Sequence, residues 1–85
     1  MVRVLMYSTR ICPYCRMAER LLAKKGVEPE KVMVDDNPDR REEMARRTGR
    51  TSVPQIFVGS HHVGGYVELA ELERDGKLDA LLAQT

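Results

Sequence analysis

Cysteine is scarce in this chain, with two among 85 residues. Small secreted domains usually rely on several disulfides, and a single pair three positions apart closes a loop too short to staple a fold. Stability must therefore come from packing. Long hydrophobic runs are missing as well: the N-terminal MVRVLMYSTR carries an apolar stretch far shorter than a signal-peptide core or a membrane span, and no later segment approaches one. A soluble, cytoplasmic protein with no membrane partner is the expectation. Charge of one sign is also lacking. Lys and Arg number 14 against 13 Asp and Glu, a net charge of +1, so no large field points to nucleic acid or acidic lipid. There is no internal repeat, linker or low-complexity segment. The length suits one domain over residues 1–85, expected to be a monomer, that buries roughly 60–65 % of the unfolded chain's surface.

The two cysteines stand together in Cys12-Pro13-Tyr14-Cys15, where an apolar strand pattern gives way to a helical one. Three apart on a first helical turn, they lie on one side and can close a reversible disulfide. With Cys12 as N-cap and Pro13 as the first helical residue, the Cys12 sulfur faces the unpaired N–H groups of that turn. Those donors and the helix dipole favour a thiolate. Cys12 is then the candidate nucleophile, exposed at the helix start, and Cys15, one turn in and more enclosed, the resolving thiol.

Val2, Val4 and Met6 alternate with Arg3, Leu5 and Tyr7, which predicts a strand over 2–7 buried on both faces. From Pro13 a stripe of Met17, Ala18, Leu21 and Leu22 predicts a helix that Lys24, Lys25 and Gly26 bring to an end. Residues 31–35 read as a second strand, and the strand, helix, strand order makes a right-handed βαβ unit. A charged helix over about 39–48, ended by Gly49, has Met44 as its one large apolar residue and should pack weakly over an edge. QIFV and HHV around Gly59-Ser60 predict a hairpin. After Gly64-Gly65 comes a last helical region broken at Asp75-Gly76. The order βαβαββα gives an α/β class with a small mixed sheet and helices on both faces. CxxC beside a βαβ unit is a thioredoxin-like signature, although the same spacing is also half a zinc site. His61-His62 does not complete one, since neighbours on a strand point to opposite faces, and no metal is expected. The arginines Arg40, Arg41, Arg46, Arg47 and Arg50 alternate with acids and read as a solvated helix face.

Three separated motifs, Cys12-Pro13-Tyr14-Cys15, Thr51-Ser52-Val53-Pro54-Gln55-Ile56-Phe57 and Gly64-Gly65-Tyr66-Val67-Glu68-Leu69, together resemble those of glutaredoxins, over about Val2 to Leu82. The resemblance implies the thioredoxin fold, with a central four-stranded mixed sheet flanked by helices. It also implies a glutathione-dependent oxidoreductase that reduces protein disulfides and glutathione mixed disulfides, with glutathione as cosubstrate. It further implies a cis Val53-Pro54 bond, with the Val53 backbone pairing with glutathione, and a ligand groove formed by Tyr14, Ser52, Val53, Pro54, Gly65, Tyr66, Val67 and Glu68. Free N–H groups at Val67 and Glu68 would take the γ-glutamyl carboxylate. At those two positions the family usually has threonine or aspartate and then aspartate. At the other end Thr9 stands where many relatives have a lysine, so Arg10, or Arg40 or Arg41, is expected to receive the glycyl carboxylate. Two alternatives stand beside this reading. One is an electron donor, for example to ribonucleotide reductase, regenerated by thioredoxin reductase; the other is a scaffold in which Cys12 from two chains and two glutathiones hold an iron-sulfur cluster.

Overall fold

The computed structural model describes residues 2–84. Its elements are β1 (Val4–Ser8), α1 (Pro13–Lys24), β2 (Glu30–Met33), α2 (Pro38–Thr48), β3 (Gln55–Val58), β4 (His61–Gly64), α3 (Tyr66–Arg74) and α4 (Leu78–Leu82). One four-stranded sheet runs in the order β2-β1-β3-β4, with β1 parallel to β2 and antiparallel to β3, and β3 antiparallel to β4. This is the mixed sheet that the element order predicts. The strands start and stop within two residues of the predicted limits, and Asp75-Gly76 divides the last helical region into α3 and α4.

Strand alternation distributes the core over the two faces of the sheet. Val4 and Met6 of β1 join Ile56 and Val58 of β3 and Val63 of β4 on one face, against Ala18 and Leu22 of α1, Leu69 of α3, and Leu78 and Leu82 of α4. Cys12 and Cys15 belong to this larger cluster. Tyr7 and Phe57 point the other way and form a smaller cluster with Val34 and Met44.

Met44 is the one buried residue of α2, as its sequence predicts, but the helix covers the second sheet face and not an edge. The reason is polar. Glu43 accepts a hydrogen bond from the buried Tyr7 hydroxyl, Arg47 donates to the same hydroxyl at 2.8 Å, and the Arg47 guanidinium lies 4.2 Å from the centre of the Phe57 ring. A helix short of apolar residues is thus held across the sheet by one methionine, two charged side chains and a cation–π contact. Burial, followed by the hydrogen bond to Glu43, raises the Tyr7 hydroxyl pKa above its ordinary value.

Because Met44 is the single apolar anchor of α2, Met44→Ala should leave a cavity that the helix cannot refill, at a cost of about 2–5 kcal/mol. Urea unfolding checks this. A cost below about 1 kcal/mol would mean that the polar contacts alone hold the helix.

Candidate active site

β1 ends at Ser8, and the chain turns through an exposed loop into Cys12, whose extended backbone (φ −151°, ψ 98°) makes it the N-cap of α1, with Pro13 in the first turn. The Cys15 N–H points at the Cys12 sulfur at 3.1 Å. That is the predicted N-cap geometry, with the sulfur in the place of the usual side-chain oxygen. The two cysteines are disulfide-bonded, with Cα atoms 5.2 Å apart. Cys15 is enclosed as expected. Cys12 is less open than its position suggests, at 8 % exposure, because the bonded sulfur is drawn against the main core. Its neighbours stand out instead: Ile11 is 92 % and Tyr14 57 % exposed.

Beside the dithiol lies a groove of about 170 Å³. Tyr14, Ser52, Val53, Pro54, Gly65, Tyr66, Val67 and Glu68 all line it, so the predicted ligand residues come together apart from Arg10, Arg40 and Arg41, the arginines expected at the glycyl end. The Val53-Pro54 bond is cis, as the family resemblance implies. Val53 packs against the cluster that contains both cysteines, and the Tyr14 and Tyr66 rings lie 6.3 Å apart. A larger open recess of about 450 Å³, between Glu19 and Pro29, has no wall from the Cys12–Cys15 turn, the Pro54 loop or α3, whereas Tyr14 of that turn lines the smaller groove, which is therefore the candidate site.

Arg10 goes elsewhere. Its backbone N–H and its Nε both reach Asp35 Oδ2 at 3.1 Å, and its guanidinium also pairs with Asp36. The Asp35 side chain holds the Arg10 pKa above its ordinary value, and the Arg10 backbone N–H holds the Asp35 carboxyl below its own. Arg40 pairs with Glu43 at 2.9 Å, while Arg41 reaches the Thr51 carbonyl at 3.4 Å, next to the groove loop.

Two further residues, Arg50 and Gln55, line the groove beyond those expected of it. Arg50 looks like one more member of the α2 basic face, yet Gly49 ends that helix in a left-handed conformation (φ 73°) and sends Arg50 into the groove wall. A glycine stop just ahead of it was the available signal. Gln55 was a polar residue opening an apolar strand, and it is buried to 1 % exposure.

Arg50 pairs with Glu68 at 3.2 Å, and Glu68 Oε1 also accepts from the Gly65 N–H at 2.6 Å, capping α3. Gly64 makes this possible: its φ is 114°, and a Cβ there would lie 2.6 Å from Glu68 Oε1. The space left by the glycine is filled by the protein's own carboxylate. The Gly65 N–H is the largest influence lowering the Glu68 pKa; burial opposes it and Arg50 adds to it. Among the described residues no group of three or more His, Cys, Asp or Glu is placed to hold a metal ion. His61 is exposed, while His62 turns to the Phe57 ring.

The glutaredoxin family model matches residues 4–63. A glutaredoxin of Pseudomonas aeruginosa is 51 % identical over 80 residues, covering 94 % of this chain and 95 % of that protein. The solution structure of a Brucella melitensis glutaredoxin has a TM-score of 0.85 at 50 % identity and covers 96 % of this chain and 89 % of that one. The crystal structure of a buckwheat glutaredoxin–glutathione complex has a TM-score of 0.86 at 28 % identity, covering 95 % and 76 %.

A lowered Glu68 pKa means that its charged form stabilises the fold above the ordinary carboxylate pKa, and that this contribution disappears as the pH falls through the folded value. Relative to Glu68→Gln, the wild-type chain should be more stable by roughly 0.3–1 kcal/mol at pH 7, the size of a charge at a half-exposed helix N-terminus. Denaturant titrations at pH 7 and pH 3 should show the gap closing on acidification. A gap that does not change with pH would exclude the charge as its source.

Proposed function

The chain belongs to the glutaredoxin family, the thiol–disulfide oxidoreductases, and from there we propose that it is a glutathione-dependent enzyme reducing protein disulfides and glutathione mixed disulfides through Cys12 and Cys15. The observation that carries this is the groove of Tyr14, Val53, Gly65 and Glu68 beside the dithiol, which offers backbone, aromatic and charged partners suited to a small peptide. In the reduced protein the first-turn donors of α1, the Cys15 N–H foremost, stabilise the Cys12 thiolate. Cys12 attacks the glutathione sulfur of a mixed disulfide. A Cys12–glutathione disulfide forms, and the substrate sulfur leaves as a thiolate that takes a proton from water. Cys12 is freed when a second glutathione thiolate attacks the bound glutathione sulfur, giving oxidised glutathione.

With a protein disulfide, Cys12 first forms a mixed disulfide with one substrate sulfur and releases the other as a thiolate. Cys15 then attacks the Cys12 sulfur, releasing the reduced protein and closing the Cys12–Cys15 bond. Two glutathiones reopen it. Val53 offers its backbone to the ligand's peptide, and α3 offers the Val67 and Glu68 N–H groups to the γ-glutamyl carboxylate. For the glycyl carboxylate, Arg41 is better placed than Arg10, because it already reaches the groove loop while Arg10 is engaged by Asp35 and Asp36. The protein is proposed to work as a single-domain monomer in the cytoplasm; among the described residues no helix is long and apolar enough to cross a membrane.

One feature favours the reading as an electron donor recharged by thioredoxin reductase: Glu68 already holds both the Gly65 N–H and Arg50, groups that an anionic ligand would use. Recycling by glutathione with glutathione reductase, set against recycling by thioredoxin reductase, separates the two.

Cys12→Ser should abolish turnover in a β-hydroxyethyl-disulfide assay with glutathione. Cys15→Ser should keep most glutathione mixed-disulfide reduction while losing turnover of substrates that need both thiols. Loss of all deglutathionylation in Cys15→Ser would reverse the two roles.

A further inference from the structure

Gln55 and Ser8 are the buried polar side chains of the described core, and thiol chemistry does not explain why an amide stands in a strand otherwise made of Ile56, Phe57 and Val58. Both ends of that amide are used. Its Nε2 donates to the Ser52 carbonyl at 3.0 Å and reaches the Ser52 hydroxyl at 3.3 Å. The Oε1 is then the end that faces His62 Nε2, 2.8 Å away. An amide oxygen only accepts, so His62 carries its proton on Nε2. The imidazole is held in turn by the Phe57 ring, 4.9 Å away. A hydrogen-bonded chain therefore runs from β4 across β3 into the loop ahead of Pro54, and it touches neither cysteine.

Its effect on the groove follows from peptide geometry. In a planar trans peptide the carbonyl and the following N–H point in opposite directions. The Ser52-Val53 peptide is trans, since the cis bond is the next one. With the Ser52 carbonyl drawn to Gln55, the Val53 N–H is directed away from Gln55. Among the described residues it donates to no other backbone group, and Val53 lines the groove. We propose that His62 is a positioning residue: by holding the Gln55 amide, it fixes the Ser52-Val53 peptide plane so that the Val53 N–H is presented to a backbone carbonyl of the peptide ligand in the groove. This rests on the groove being the glutathione site.

The test compares the wild-type chain with His62→Phe, which keeps the ring against Phe57 and removes the donor, and His62→Gln, whose amide nitrogen has a similar reach. Three quantities are measured: steady-state kinetics on a glutathionylated peptide, the alkylation rate of reduced Cys12 by iodoacetamide, and the Val53 amide shift in ligand-free 15N spectra. His62→Phe should raise KM roughly three- to tenfold, the effect of one misdirected neutral hydrogen bond. Its kcat should stay within about twofold and its alkylation rate should not change. Its Val53 amide should shift, and His62→Gln should restore both KM and shift. An unchanged KM, equal losses in both variants, or alkylation falling in step with KM would overturn the proposal. If His62→Phe does not fold, Gln55→Met breaks the same chain and faces the same criteria. If the wild-type chain does not turn over the glutathionylated peptide, the glutathione reading fails, and an unmoved Val53 amide separately overturns the positioning role.

Discussion

Where α1 begins decides nearly everything else. The Cys15 N–H can meet the Cys12 sulfur only if the helix starts at Pro13, and two constraints enforce that start. Pro13 lacks an N–H and is pre-set for a first turn, which leaves the preceding residue extended. The loop from β1 is then pinned from outside: Asp35 takes both the backbone N–H and the side chain of Arg10, and Arg16 donates to the Arg10 carbonyl at 3.0 Å. Ala18 and Leu22 bury the rest of the helix in the main core, so the dithiol sits on a fixed element and not on a free loop. Arg10 thus serves the sulfur through the loop, with its side chain engaged by Asp35 and Asp36.

The groove exists because the sheet has two unequal faces. α1, α3 and α4 cover one face with an apolar layer, whereas α2 covers the other with Met44 and a set of charges. The loop before Pro54 lies between these layers, and Val53 packs against both clusters. A residue held from two sides is a firm place to present backbone to a ligand, and the Gln55 side chain fastens the neighbouring carbonyl to the sheet. The polar contacts of the thin layer and the backbone of the groove are therefore parts of one structure.

Most of this arrangement was legible in the sequence because it follows from period and punctuation. Alternation along β1 gave both faces and Gly49 and Gly26 gave helix ends, while the groove was implied by the resemblance of three motifs to those of glutaredoxins. What stayed hidden depended on where side chains point after the chain has folded. Arg50 reads as part of α2 until Gly49 is seen to turn it out of the helix. Arg10 lies close to the dithiol in sequence, but Asp35 and Asp36, more than twenty residues away, capture it. Met44 alone suggests a loosely attached helix, since the Tyr7, Glu43 and Arg47 contacts join distant segments that no local pattern connects.

The Arg50–Glu68 pair at the start of α3 bears on how the proposed ligand could be held. At first sight Glu68 obstructs the site, because it takes the Gly65 N–H and sets a negative charge where a carboxylate is expected. The γ-glutamyl end of glutathione, however, carries an ammonium as well as a carboxylate. Glu68 is complementary to the first; Arg50 and the N–H groups of Val67 and Glu68 are complementary to the second. A neutral pair that meets a neutral zwitterion leaves no net charge to be buried, which avoids the penalty of an unpaired ion. The pair is also half-exposed, with side chains 48 % and 38 % accessible, and such pairs add at most about 1 kcal/mol to a fold. It can be rearranged around a ligand at little cost to the domain, and Val67, which has no polar group to offer, then needs only its backbone.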